Sequence, residues 1–305
     1  MATYTVDRRR YLQLFGVGGS LSLTGCVGNA SSSGDESTSE ASMTLATTTT
    51  TYDSGLIDAL LPGFEKQFGA SVDPIVRGTG GALQTARNGD CDVVFVHARR
   101  LEDAFLRDGH GINRRSVMTN DFLIVGPRDD PADIAGIGPV EAFEAIADSE
   151  ATFLSRGDRS GTHLRERTLW NEAGIEPEGS WYSETGQGMG NTLILAGETE
   201  AYTLTERGTF LNVADDSLVA HVSSGIEDPP PLLRNEYGII PVNPARHDTA
   251  YALAMAFVGY VTGPGRGIID GYRVANERVF RPLEPSRTPR FQQYVPSDWE
   301  PSDTR

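Results

Sequence analysis

Met43-Thr44-Leu45-Ala46-Thr47-Thr48-Thr49-Thr50-Thr51-Tyr52-Asp53-Ser54-Gly55 leads from a short β-forming segment through five consecutive threonines into a helical pattern. Between Ser54 and Phe68 the apolar residues Leu56, Ile57, Leu60, Leu61 and Phe64 recur at helical spacing. Met43 to Ala46 is therefore expected as a strand and Ser54 to Phe68 as the helix that follows. A hydroxyl-rich turn sits between them, where a helix start leaves backbone N–H groups unpartnered and the peptide dipoles add partial positive charge. Such a turn suits an oxyanion.

The same order of strand, polar turn and helix recurs along the chain. Strands are expected at Ser71 to Val76, Cys91 to Val96, Asp121 to Pro127, Ala151 to Leu154, Trp181 to Glu184, Ala201 to Thr205, Leu218 to Val222 and Tyr237 to Val242. Helices are expected at Gly80 to Asn88, Val140 to Ala147, Gly161 to Ala173, Met189 to Ala196, Thr249 to Thr262 and Pro264 to Ala275. This alternation predicts an α/β fold with a mostly parallel sheet. The polar stretch Arg128 to Pro131 and the run Pro229-Pro230-Pro231 mark surface connections. Two α/β lobes are expected: one built from 43–120 and 237–305, the other from 121–236, with a ligand cleft between them. The tail after Pro282 is proline-rich and is expected to be extended.

The amino terminus carries a different signal. Arg8-Arg9-Arg10 precedes a modest apolar run from Tyr11 to Leu23 that ends in Leu23-Thr24-Gly25-Cys26. A basic region, an apolar stretch too short to span a bilayer and small residues before a cysteine describe an export signal over 1–26 with a lipidation site at Cys26. Arg8-Arg9-Arg10-Tyr11-Leu12-Gln13 is similar to a twin-arginine signal, with the general secretory route as the alternative. Residues 27–42 are dominated by Ser, Thr, Gly and acidic residues and are expected to be a disordered tether. The processed protein is expected at the extracytoplasmic face of the membrane, held by lipid alone. A monomer is expected.

Net charge is −16 over 305 residues, and Lys66 is the only lysine. Removing the signal region takes away a +2 contribution and leaves about −18. An acidic, lysine-poor surface resembles those of proteins from salt-loving microbes, and it disfavours nucleic acid, whose phosphates demand a basic stripe. At high salt the Debye length falls to about 3 Å at 1 M, so local groups decide anion binding. Apart from Cys26, Cys91 is the only cysteine, which excludes a disulfide framework and a cysteine-based metal site. His97, His110, His163, His221 and His247 show no ligand spacing for a metal cation.

Four loops carry the chemistry: Thr47 to Gly55, Gly78 to Ala82, Ser155 to Thr162 and Thr185 to Gly190. Arg156 offers a planar fork of donors that matches an oxyanion and keeps its charge at any relevant pH. Ser160, Gly161 and Thr162 start a helix beside it, and Asp158 is placed to hold the guanidinium in one orientation. Thr49, Thr50, Thr79 and Gly80 complete the expected ligand set, with Thr185, Gln187 and Gly188 as additional candidates. Gly186, Gly188 and Gly190 depart from the dinucleotide spacing, and no Walker A lysine exists, so no cofactor is indicated. Ser160, His163 and Asp158 would make a hydrolase triad, but they crowd into one segment and lack the G-x-S-x-G elbow. No enzyme is expected.

Together these residues resemble the tungstate-binding proteins of Tup-type ABC importers. The resemblance runs from about Leu45 to Thr262 and rests on TTTTTYDSGL, NGDCDVVFVHA, GINRRSVMTNDFLIVGP, FLSRGDRSGTH, WYSETGQGMG and AYTLTERGT, in the family's order. It implies a two-lobed, periplasmic-binding-protein-like type II fold with a hinged interlobe cleft. It also implies a solute receptor that hands tungstate, or molybdate, to a membrane permease and an ATPase. By the same resemblance Thr49, Thr50 and Arg156 match oxyanion-contacting positions; Thr50 stands where the family usually has serine. The segment Arg156 to Thr162 is also similar to the R-x-D-x-S-G-T segment of phosphate-binding proteins, so a phosphate receptor is the alternative. Monohydrogen phosphate carries a proton that a carboxylate in the site would accept, whereas tungstate has none to give.

Overall fold

The computed structural model describes residues 41–284. The signal with Cys26, most of the tether and the proline-rich tail beyond Glu284 lie outside the described residues. In the first lobe the chain forms β1 (Ala41–Thr48), α1 (Thr49–Asp53), α2 (Leu56–Phe68), β2 (Ala70–Arg77), α3 (Thr79–Asn88), β3 (Val93–Val96) and α4 (Arg99–Arg107). It then leaves along β4 (Arg115–Pro127). The second lobe contains α5 (Pro139–Asp148), β5 (Phe153–Ser155), α6 (Gly161–Glu172), β6 (Tyr182–Glu184), α7 (Met189–Glu198), β7 (Thr203–Glu206), α8 (Arg207–Val213) and β8 (Leu218–Val222). The return follows β9 (Arg234–Pro241) into α9 (Tyr251–Thr262), α10 (Arg266–Gly271), β10 (Arg273–Val274), β11 (Glu277–Arg278) and β12 (Arg281–Pro282).

The two lobes share one device. In the first, the order is β2-β1-β3-β9-β4-β12; β1 runs parallel to β2 and β3, and β9 runs antiparallel to both of its neighbours. In the second, β4 runs antiparallel to β7 and β8, while β5 is parallel to β6 and reaches β7 through a parallel bridge from Phe153 to Tyr202. In the second lobe β4 alone runs against the rest; in the first, β9 and the two-residue edge strand β12, which pairs antiparallel with β4, do so. The long opposed strand of each lobe, β9 or β4, is one that crosses between lobes. This corrects the expectation of a mostly parallel sheet: it is mixed, because a strand entering from the opposite lobe arrives pointing the other way. Hydrophobic patterning carries no information about strand direction.

The crossings lie side by side. Asp121 pairs with Arg234, and Phe122 N donates to Leu233 O at 2.8 Å. Arg207 clasps the buried Asp121 with two hydrogen bonds, Nε to Oδ1 at 2.7 Å and Nη2 to Oδ2 at 2.6 Å.

Helices cover both faces of each sheet. In the first lobe the α2 residues Leu56, Ile57, Leu60 and Phe64 pack with Phe257 and Val261 of α9, and Ala82, Leu83 and Ala86 of α3 cover the opposite face with Val94, Val96 and Phe105. In the second, Phe143, Phe153, Trp170 and Tyr202 form one core, and Leu123, Val125, Leu154, Met189 and Leu193 the other. Full burial of side chains of this size contributes ~1.5–3 kcal/mol each. Two compact halves result, each with its own interior.

Several local expectations shift: the short helix α1 stands in the expected turn, and β4 starts at Arg115, well before Asp121. β1 begins at Ala41, earlier than the composition of the tether implies. Helix α4 was not expected, because Arg99 to Arg107 is mostly charged; its Glu102 is buried by pairing with the equally buried Arg114, Nε to Oε2 at 2.6 Å. The short α8 was not expected either, since its seven residues hold too few apolar positions to show a period. The helix expected over Pro264 to Ala275 stops at Gly271, and a hairpin follows whose turn residues Ala275 and Asn276 take positive φ of 48° and 68°.

Candidate oxyanion site

Four helices start at the carboxyl ends of four strands: α1 after β1, α3 after β2, α6 after β5 and α7 after β6. Thr48 caps the first, its hydroxyl accepting from Thr51 N at 3.2 Å. Gly78 precedes the second without a side-chain cap. Ser160 caps the third by accepting from His163 N at 3.3 Å, and Gly188 precedes the fourth. Strand ends of an open α/β sheet are where ligands bind, because the helix starts leave N–H groups pointing into the crevice.

Three of these starts meet. Gly161, at the head of α6, lies against the first lobe so closely that a Cβ there would stand 3.5 Å from Thr79 Oγ1 and 3.1 Å from His97 Nδ1. His97 follows β3 directly, and its Nε2 is 3.2 Å from Thr50 Oγ1. Nε2 also lies 3.7 Å from Oε1 of Glu206, the last residue of β7, and Thr162 Oγ1 donates to the same oxygen at 3.4 Å. Thr50, Thr79, His97, Ser160, Gly161, Thr162 and Glu206 are all buried. Hydroxyls and N–H groups from both lobes thus face one small volume.

Arg156 enters from the end of β5 and is 3% exposed. Its Nη2 donates to Asp158 Oδ2 at 2.5 Å, while Asp158 Oδ1 accepts from Ser160 N at 3.0 Å. Asp158 therefore braces the guanidinium and the cap residue of α6 together. Beneath, Gly157 N donates to Ser155 Oγ at 3.2 Å and Ser155 Oγ donates to Glu166 Oε2 at 2.8 Å, which ties the loop to α6. Burial pushes the Glu166 carboxyl up to about 7 despite bonds from Ser155, Tyr182 and Trp170. Across the cleft, partial burial raises the Asp53 carboxyl above its usual range, and the Arg156 charge offsets part of that rise. Of the eight buried side-chain atoms without a hydrogen-bond partner among the described residues, two belong to the expected ligand set: Arg156 Nε and Thr79 Oγ1. A buried donor left unpaired costs about 1–3 kcal/mol, more when charged.

The remaining expected residues lie further out. Thr49 is half-buried and Gly80 exposed. Of the fourth loop, Gln187 and Gly188 are exposed and Thr185 half-buried, its hydroxyl engaged with Thr192 Oγ1 at 3.0 Å. The loop touches the site's frame through Thr185 N, which donates to Ser155 O at 2.8 Å, without bringing its side chains into the buried group. The hydrolase arrangement is absent: His163 Nδ1 accepts from Arg159 N at 3.0 Å and its Nε2 faces Glu184 at 3.8 Å, so the ring turns away from Ser160 Oγ. No group of three His, Cys, Asp or Glu able to hold a metal ion occurs among the described residues.

His97, Glu206 and Tyr237 were not anticipated. Tyr237 on β9 donates to Glu206 Oε2 at 2.7 Å. His97 and Glu206 each close a buried strand, Val93-Val94-Phe95-Val96 and Thr203-Leu204-Thr205 respectively. An ionisable residue closing a buried strand is the signal that marks such a position, since ligand sites sit at strand ends.

A hinged pair of α/β lobes with donors from both closing on one buried point defines the class of two-lobed solute-binding proteins, and residues 33–264 match the family model of the PBP superfamily domain. The chain belongs, within that class, to the TupA family of tungstate-binding proteins. A Haloferax volcanii protein bearing the name of an ABC transporter anion-binding protein is 50% identical over 314 residues, covering 97% of this chain and 91% of its own length. The tungstate-binding protein TupA of Peptoclostridium acidaminophilum is 43% identical over 238 residues, covering 76% of this chain and 82% of its own. The crystal structure of the tungstate ABC transporter from Geobacter sulfurreducens superposes with a TM-score of 0.67 at 50% identity, covering 73% of this chain and 95% of that one.

Proposed function

We propose that this chain captures tungstate, or molybdate, outside the cytoplasm and delivers it to the permease and ATPase of an ABC importer. The observation that carries the reading is the pair of orphaned buried atoms, Arg156 Nε and Thr79 Oγ1, which come from opposite lobes. An oxyanion between the lobes would accept from both. Thr49, Thr50, Thr79, Gly80, Arg156, Ser160, Gly161 and Thr162 are the proposed ligand set, with Thr185, Gln187 and Gly188 at its margin and Asp158 as the brace. Bonds to a charged acceptor are worth about 1.5–3 kcal/mol each, so five or six support nanomolar affinity after ordering and desolvation.

Tungstate is preferred over monohydrogen phosphate because the nearby carboxylate oxygens already accept hydrogen bonds. Asp158 is engaged by Arg156 and Ser160, and Glu206 by Tyr237 and Thr162. Each of these four oxygens already has a donor, so a ligand proton would have to share it, which disfavours a ligand that must give one. In this reading 43–120 with the segment from 237 onward, and 121–236, move as two bodies about the paired crossings of β4 and β9 and trap the anion by closing. Cys26 serves as the lipid anchor after export of the folded chain through the twin-arginine route. The protein works as a monomer, carries no catalytic activity, and keeps its acidic surface hydrated at high salt. Competition calorimetry with tungstate, molybdate, sulfate and phosphate tests the reading: nanomolar tungstate binding is expected, and tight phosphate binding with none for tungstate reverses it.

A further inference from the structure

We propose that His97 is a positioning residue of the oxyanion site: it frees the Thr50 hydroxyl proton for the ligand only when its own ring is doubly protonated, so the anion is taken up together with a proton. The inference rests on the receptor reading above and adds to it a residue and a co-ligand.

Hydrogen-bond direction propagates outward from Glu206. An ionised carboxylate can only accept, so Tyr237 Oη spends its single proton on Glu206 Oε2 at 2.7 Å. The phenol oxygen then serves as acceptor for Asn120 Nδ2 at 3.3 Å and Asn235 Nδ2 at 3.4 Å. That fixes the Asn235 amide, whose oxygen is turned toward His97 Nδ1 at 3.1 Å. An amide oxygen accepts, so Nδ1 carries a hydrogen. If the ring is neutral, Nε2 is a lone pair, and Thr50 Oγ1 at 3.2 Å must give it the hydroxyl's only proton. Thr50 would then turn lone pairs toward an incoming anion. If the ring is an imidazolium, Nε2–H donates to Thr50 Oγ1 and the threonine proton is free for the ligand. The neighbouring hydroxyls can supply the rest: Thr48 Oγ1 lies 3.1 Å from Thr50 Oγ1 and 2.6 Å from Thr51 Oγ1.

The surroundings of the ring set opposing charges. Glu206 of β7 favours the imidazolium from 3.7 Å, and the Tyr237 ring of β9 lies over it with centroids 4.8 Å apart. Against the second proton stand the positive start of α6 at Gly161 and the guanidiniums of Arg100 and Arg165; Arg99, which lines the same cavity of about 380 Å³ with His97, is neutralised by Asp103, its Nε donating to Oδ1 at 2.6 Å. A dianion beside Thr50 adds the negative charge that shifts this balance toward the imidazolium, and reciprocity makes the protonated ring raise anion affinity by the same factor.

The test is calorimetric titration of the full chain with sodium tungstate at several pH values in two buffers of different ionisation enthalpy. The expected result is uptake of up to about one proton per tungstate, with Kd weakening by up to about tenfold per pH unit as pH rises. His97→Gln places an amide donor near the Nε2 position, and its binding should be flat with pH and free of proton uptake. Uptake that persists in Glu166→Gln excludes that buried acid as its source, and its loss in His97→Gln assigns it to the imidazole. Tight wild-type binding without proton uptake, or the same uptake in His97→Gln, overturns this inference alone. Failure of the wild type to bind tungstate overturns the receptor reading and this inference with it. If His97→Gln does not fold, the wild-type comparison between buffers decides.

Discussion

Gly161 of α6 and Thr79 of α3 face each other from opposite lobes, with the position of a Gly161 Cβ only 3.5 Å from Thr79 Oγ1 and 2.8 Å from His97 Cε1. A methyl group at residue 161 would therefore press on the His97 ring when the lobes close, and any relief comes from opening the cleft. Gly161→Ala should leave each lobe intact, since alanine favours the helix it starts. Tungstate affinity should fall about tenfold or more, equal to about 1.4 kcal/mol. Calorimetry measures the loss, and unchanged affinity would show that the lobes do not meet here in the bound state.

Thr79→Val separates ligand contact from folding. Thr79 Oγ1 has no hydrogen-bond partner among the described residues, so an isosteric methyl removes nothing the fold relies on. The ligand-free melting temperature should hold or rise, while tungstate binding loses one hydrogen bond to a charged group, about 1.5–3 kcal/mol. Thermal unfolding with and without tungstate reads both effects from one sample.

Arg156→Ala should abolish the thermal stabilisation conferred by tungstate while leaving the ligand-free protein folded. Arg156→Lys should recover only part of it, because an ammonium keeps the charge without the fork. A variant lacking the guanidinium that is still fully stabilised by tungstate would contradict the assignment.

Glu166 predicts a pH effect on stability. Its folded value of about 7 lies above the ordinary 4.5. The protonated carboxyl therefore contributes stability that is fully present below about pH 4.5 and is lost as pH rises to about 7. Glu166→Gln should stabilise the protein at pH 8, by on the order of 3 kcal/mol, and change little at pH 5. Melting curves at the two pH values check the difference.

The alternation of strand, hydroxyl-bearing turn and helix was legible because each element carries its own period, and the turns at Thr50, Thr79 and Arg156 stand where helix starts must be. Asp158 was legible too, since its place two residues beyond Arg156 lets one carboxylate reach the guanidinium and Ser160 N. Strand direction was hidden, because β4 and β9 look like any other apolar run until the crossing is known. His97 and Glu206 were hidden for a related reason: they are far apart in sequence and meet only once β3 and β7 lie on facing lobes. Thr185, Gln187 and Gly188 share the composition of a site loop, yet the buried contact is made by the other three turns.

The most direct measurement is a crystal structure of the tungstate complex with anomalous diffraction at a tungsten absorption edge. One tungsten peak is expected between the lobes, with its oxygens within hydrogen-bond reach of Arg156 Nε and Thr79 Oγ1. A peak outside the cleft, or one contacted by a single lobe, would contradict this placement.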